Sequence, residues 1–462
     1  MEKHSIEQKN LLSGGNEEVK QHLADIPAGQ ERTNQTCSES VAGHSVEVQE
    51  PIESSQVDRG LQESNCEGHL EDQHHKESHI DENSYSISTS GEPSSSTFKD
   101  EPPSSFIESM QSTKDEKGVT GMANMRNTCY MNAVIQALRH NTEISAFFLE
   151  NRHVQWVDRK PGSPKVELVK GYADLLRSLW SGSKPSYIRP QGFLQAMIPA
   201  AVAAGFDQFQ VPLQHDSHEF LTFLLDQLHE GMAEEVNIEI NRPKPITEQD
   251  HAIQQALEAW KRLFGKQYSP FTEMIYGLLR VTITCESCKN KTNTWEPFNC
   301  LKLPVPAQSD TPVTIESMLK EEFKAETIEG YACEKCSPVR TIATRQPSLW
   351  RVPRMICLVL KRFTPDGRKI YTNFTSENQT HLFKNYFSPD SPEPSQDQTY
   401  ECFATVDHHG SSGGGHYNAQ AKSPLTEKWH LFDDETTSPM SEPHYGISTY
   451  ILFLKPSAKP VG

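Results

Sequence analysis

The chain is 462 residues long, with 44 Lys and Arg against 62 Asp and Glu, a formal charge of -18 and a sequence pI of about 5.5. That acidity argues against a general nucleic-acid binder, and no run approaches the roughly 18 apolar residues of a membrane-spanning helix. Ten cysteines are too sparse for a disulfide scaffold and the N-terminus lacks the apolar core of a secretion signal, so the expectation is an intracellular protein of cytoplasm or nucleus with reduced thiols and no membrane or nucleic-acid partner.

The charge is uneven. Residues 1–117 hold 9 basic and 24 acidic side chains, a balance of -15, which leaves 35 against 38, or -3, for the other 345. Only 26 of those 117 residues are apolar and three are aromatic, too few to offset chain entropy by burial. Residues 1–117 therefore read as a disordered acidic tail, an appendage for a regulator of unknown kind. It closes on the Pro- and Ser-rich linker 91–105. From residue 118 the chain turns apolar, and 118–457 read as one large globular domain followed by a short tail, 458–462.

Met131, Val134, Ile135 and Leu138 recur at i, i+3, i+4 and i+7, one face of a helix, with Thr128 at the N-cap position and Cys129 in the first turn. Helical patterns follow at 172–180, 191–204, 216–229 and 248–264. From about 275 the pattern changes to short β-branched and apolar runs: YGLLRVTITC, MICLVLKRF and STYILFLK. Helices first and strands afterwards, without a βαβ rhythm, predict an α+β fold.

Several residues could carry chemistry. A thiol at a helix N-terminus, as at Cys129, is favoured as a reactive thiolate, against the bland reading of a small core residue. A base for it could be His416, which closes the Gly-rich segment DHHGSSGGGHY, and Asp433 and Asp434 follow an aromatic strand further on; a flexible surface turn and a capped turn are the plain alternatives. Cys285 with Cys288 and Cys333 with Cys336 form two CxxC pairs, which together complete a structural four-thiolate zinc site or, as a rival, act in redox exchange. Cys300, Cys357 and Cys402 receive no role, Cys357 being read as core within an apolar strand.

In combination these segments resemble one family. GMANMRNTCYMNAVIQAL (121–138) resembles the Cys box of the ubiquitin-specific proteases, papain-like deubiquitinating enzymes, and GGHYNAQAK with WHLFDDETTSPM (414–440) resembles their His box. LQHDSHEFLTFLLDQLH (213–229), VPRMICLVLKRF (352–363) and GISTYILFLK (446–455) are similar to further family segments, in family order across about 118–457. The resemblance implies a papain-like hand: a helical thumb, a β-rich palm and fingers tied by zinc at Cys285, Cys288, Cys333 and Cys336. It implies hydrolysis of the isopeptide bond after ubiquitin's C-terminal glycine, with ubiquitin and ubiquitinated proteins as partners. It makes Cys129 the nucleophile, His416 the base, Asp433 its orienter, Asp434 a neighbour that positions water or polarises the intermediate, and Asn124 the oxyanion donor.

By the same resemblance Asp216 and Glu219 receive the arginine-bearing ubiquitin tail, although a capping box, Asp216 at N-cap and Glu219 at N3, explains the same residues. Gly414 and Gly415, with Gly413, would floor a channel that admits only Gly-Gly. One position departs from the pattern: Arg126 stands where the family has Gly. If the backbone there needs positive φ, the oxyanion loop is strained; if not, Arg126 adds a cation near the thiolate. A weakly active ubiquitin-binding scaffold and a protease for another ubiquitin-like modifier are the alternative functions.

Overall fold

A computed structural model describes residues 85–89, 117–157, 162–182, 185–376, 380–392 and 399–457, all within the unit Glu77–Gly462. The rest of the expected acidic tail and residues 458–462 lie outside the described residues. Within the segment read as tail, Tyr85–Thr89 (β1) forms a strand and pairs antiparallel with Val236–Ile240 (β4), Ile87 opposite Ile238. The alternation in YSIST favours a strand locally, a signal that the average composition of 117 residues conceals.

The short strands Gly121–Met122 (β2) and Tyr187–Ile188 (β3) pair in parallel. The first half is otherwise helical: Cys129–Arg139 (α1), Thr142–Leu149 (α2), Val154–Val157 (α3), Pro164–Trp180 (α4), Gln191–Ala203 (α5), Ser217–Met232 (α6), Glu248–Phe264 (α7) and Pro270–Ile275 (α8). Every residue of α1 is buried, because the helix runs through the middle of the domain with α6 and a sheet strand both packed against it. Caps set the starts: Asn141 accepts from the Ile144 N–H, Thr247 and Asp250 make a capping box on α7, and Pro164 and Pro270 open α4 and α8.

Two sheets follow. Gly277–Cys285 (β5), Lys291–Phe298 (β6), Glu326–Tyr331 (β8) and Thr341–Arg351 (β9) form an antiparallel sheet in the order β6-β5-β9-β8. Ile315–Glu322 (α9) precedes β8. The larger sheet contains Cys300–Pro304 (β7), Ile356–Lys361 (β10), Thr380–Leu382 (β11), Thr399–Ser411 (β12), Gly414–Lys422 (β13), Trp429–Asp433 (β14), Thr436–Met440 (β15) and Thr449–Pro456 (β16). Its order is β15-β14-β13-β12-β16-β10-β7, with β11 on β12; β7 and β10 run parallel.

The central strands read as unbroken apolar runs because both faces are buried. Side chains alternate across a strand, so Ile451 and Phe453 of β16 join the core under the helices while Leu452 and Leu454 join the core on the far face. Cys357 and Val359 of β10 face the first core, and Ile356, Leu358 and Leu360 the second. Beyond β10, the fully buried Arg362 donates to the carbonyls of Thr449, Ile370, Thr372 and Gly446, which ties three separate segments together. The expected α+β hand, helical thumb, central palm and outlying fingers, is the observed architecture. Among the described residues no helix is long and apolar enough to cross a membrane.

Candidate active site

Three elements converge on the N-terminus of α1. Cys129 is its first residue and only 4% exposed. Thr128 occupies the N-cap position without capping: its hydroxyl accepts from the Met125 N–H at 2.8 Å, and its own N–H donates to Asn124 Oδ1 at 3.0 Å. The intervening turn carries two consecutive left-handed residues, Arg126 at φ 69° and Asn127 at φ 57°. The backbone at Arg126 therefore does take positive φ, the conformation that the resemblance reserves for Gly. The Asn127 side chain also donates to the Pro212 carbonyl at 2.9 Å.

His416 lies three residues into β13 rather than at the end of a loop, paired with His409 across the β12–β13 hairpin. Its Nε2 is 2.5 Å from Oδ1 of Asp433, the last residue of β14. Asp434 follows at φ 48°, in the turn to β15. Its carboxylate is shared: Oδ2 accepts from Asn124 Nδ2 and Oδ1 from Asn132 Nδ2, both at 2.8 Å. Asp434 is thus engaged as a clamp on two amides. Asn132 was missed in the sequence; its signal was the i+3 spacing from Cys129, which puts both on one side of α1.

Cys129 sits against the backbone of Tyr417, next to His416. Burial, the leading influence, and the charge of Asp434 push its thiol above the ordinary 9.0, with hydrogen bonds from the Tyr417 backbone only partly opposing. In this substrate-free geometry burial is the leading influence on the Cys129 thiol. His416, Asp433 and Asp434 lie within 4.8 Å of one another, a group that does not include Cys129. Burial likewise raises Asp434, with Asn132 and Asn124 acting against it.

Asp216 caps α6, its Oδ1 accepting from the N–H groups of His218 and Glu219, while its Oδ2 accepts from the Tyr450 hydroxyl at 2.8 Å. The capping box is only half made, since Glu219 Oε1 instead accepts from Gln208 Nε2 at 2.8 Å. Before α6, the Gln214 amide pairs with both backbone groups of Gly415: Gly415 N–H to Oε1 at 2.9 Å and Nε2 to the Gly415 carbonyl at 2.8 Å. A Cβ on Gly415 would lie 2.2 Å from His408 Nε2 and 2.5 Å from the His409 carbonyl, so this position admits only Gly. Gly414 is less confined, its nearest contact being Gln214 Oε1 at 3.3 Å.

Away from this cleft, the β5–β6 and β8–β9 turns bring four thiols together. Sγ of Cys288 is 3.6 Å from that of Cys333, and Cys285 is 3.9 Å from Cys336. A tetrahedral zinc with arms of about 2.3 Å has edges of about 3.8 Å, so the donor set fits that ion. Hydrogen bonding, first from Thr341, pulls Cys285 down to about 6, and the neighbouring thiols push Cys336 up to about 12. Four cysteine sulfurs this close form a donor set that could hold a metal ion.

The sequence profile of the family described as ubiquitin carboxyl-terminal hydrolase matches residues 120–454. The bovine (Bos taurus) ubiquitin carboxyl-terminal hydrolase 2 is 28% identical over 358 residues, 75% of this chain and 57% of that protein. The chicken (Gallus gallus) protein of the same name is 30% identical over 355 residues, 74% of this chain and 95% of its own length. The chain thus spans 57% of the first relative it matches. Among solved structures, the SAGA Ubp8/Sgf11/Sus1/Sgf73 DUB module bound to ubiquitin aldehyde aligns with a TM-score of 0.56 at 23% identity, over 75% of this chain and 71% of that one. The same module bound to monoubiquitin aligns at 0.57, over 75% and 70%. At that identity the likeness shows the fold.

Proposed function

The chain belongs to the ubiquitin carboxyl-terminal hydrolase family, on its ubiquitin-specific protease side, and from that membership we propose that it is a cysteine deubiquitinase. It would hydrolyse the peptide or isopeptide bond after ubiquitin's C-terminal glycine. The observation that carries this reading is the network Asn124–Asp434–Asn132 beside His416–Asp433 at the start of α1. With Nε2–H donated to Asp433, the basic ring nitrogen is Nδ1, which takes the Cys129 proton as the substrate carbonyl arrives. Asn124 spends one amide N–H on Asp434, and the second, with backbone N–H groups at the head of α1, is placed for the developing oxyanion. Attack by sulfur forms the C–S bond and breaks the C–N bond, the departing amine taking the proton from His416, and an acyl-thioester remains. Neutral His416 then deprotonates water, whose oxygen displaces the sulfur to release the ubiquitin carboxylate.

Asp216, held by Tyr450, and Glu219 supply carboxylates for the tail's guanidinium groups, and Gly415 keeps the path to His416 narrow. Cys285, Cys288, Cys333 and Cys336 would hold a structural zinc, closed to substrate because all four positions would be filled by thiolates. Reduced thiols at both places fit a reducing interior such as cytoplasm or nucleus. A fluorogenic amide of the ubiquitin C-terminus tests the reading. Turnover by the full chain, lost in Cys129→Ser with ubiquitin binding kept, is expected. Binding without turnover would make the protein a scaffold, and turnover only of another modifier's amide would reassign its substrate. Asn124→Ala should reduce kcat by roughly 10²–10³ with KM little changed.

A further inference from the structure

Cys300 and Cys357 take no part in the site above, yet the fold sets them side by side. They are register partners on the parallel strands β7 and β10, Cys357 opposite Cys300. Neighbouring strands lie about 4.8 Å apart, inside the window of about 4.4–6.8 Å between Cα atoms that a disulfide spans. The surroundings of the two thiols differ. Cys357 is fully buried in the core under the helices, whereas Cys300 is half-buried at the margin of that core, on the strand that ends the sheet.

The half-buried His218 of α6 lies beside Cys300, and Lys302 lies two residues along β7. With the Cys357 thiol, these groups favour a thiolate at Cys300, while Cys300 and burial hold Cys357 in its protonated form. One cysteine therefore lies at the partly exposed margin of the core beside a histidine, and the other is adjacent and fully buried. A merely structural pair needs no such asymmetry.

We propose that Cys300 is a peroxide-reactive thiol and Cys357 its resolving partner, joined reversibly by a disulfide between β7 and β10. The Cys300 sulfur attacks hydrogen peroxide, the O–O bond breaks, and sulfenic acid and hydroxide form. The Cys357 sulfur then attacks the sulfenic sulfur; the S–S bond forms, the S–O bond breaks, and the departing hydroxide leaves as water with the Cys357 proton. Overall, two thiols and one peroxide give one disulfide and two waters, and a dithiol reverses the bond by exchange. Because His218 lies two residues beyond Asp216, oxidation at Cys300 acts on the first turn of α6.

The test uses the full chain as Cys129→Ser, which removes the other candidate nucleophile, treated with hydrogen peroxide and digested without reduction. A Cys300–Cys357 linked peptide, two hydrogens lighter than its parts and restored by dithiothreitol, is expected. Dimedone present during oxidation should label Cys300 and lower the linked fraction as its concentration rises. In Cys357→Ala the label on Cys300 should persist and the link should vanish. A Cys300 that stays reduced while the finger cysteines oxidise would overturn the proposal, as would dimedone labelling of Cys357 in place of Cys300. The readout is thiol chemistry and is independent of deubiquitinase turnover.

Discussion

Arg126 carries a side chain in the left-handed region at the position where the resemblance expects Gly. Its φ of 69° costs a side-chain-bearing residue about 1–2 kcal/mol, partly offset by the unfolded-state entropy of about 0.5–1 kcal/mol that Gly would add. Arg126→Gly should therefore raise stability by roughly 0.5–1 kcal/mol, seen as a higher urea midpoint at unchanged slope. A lower midpoint would mean that the guanidinium makes contacts worth more than the backbone cost. Cys129 supplies a second test. Burial raises its thiol above 9.0, and only the thiolate reacts, so alkylation of the substrate-free protein should still accelerate beyond pH 9. A plateau below pH 8 would reveal a standing ion pair with His416. Cys129, His416 and Asp433 stood out in the sequence as candidates, and it was the resemblance to the family that gave them roles. Asn132 and the clamp role of Asp434 were not legible there, because they depend on how α1 and the β14–β15 turn meet across some 300 residues of chain.

At the scale of elements, legibility follows burial. Helices with one apolar stripe and strands buried on both faces announce themselves, as α7 and β16 do; 248–264 is the observed span of α7. Strand β8 does not, since ETIEGY is largely solvent-facing and is held by pairing with β9. His416 was expected at the close of a loop, and the glycines before it disguised the start of β13. The finger sheet depends on its cysteines more than on apolar contacts at its tip, where Val339 and Ile342 are exposed. With zinc in the cluster as proposed, a chelator should raise amide exchange in the turns 285–291 and 331–341, leaving α1 and β16 protected, as hydrogen exchange read by mass spectrometry would show. Uniform loss of protection would mean that the fingers do not unfold as a separate unit.

For the whole molecule, nearly all of the net charge belongs to residues 1–117, which leaves a domain of about neutral balance whose acidic groups act locally. The N-terminal segment still contributes β1, which occupies the edge of β4. A chain starting at Gly118 should show faster amide exchange at 236–240 while the rest of the domain is unchanged, and equal exchange in both chains would show that β1 contributes no protection. The order of the large sheet has a temporal meaning as well. β16 follows all of its neighbours in the chain yet lies between β12 and β10, and its lead-in supplies two of the carbonyls around Arg362. On the ribosome, β10 and β12 emerge first and wait with open edges until residues 446–456 arrive. The palm is thus incomplete until residues 446–456 emerge, and until then the nascent chain needs shielding from other strands.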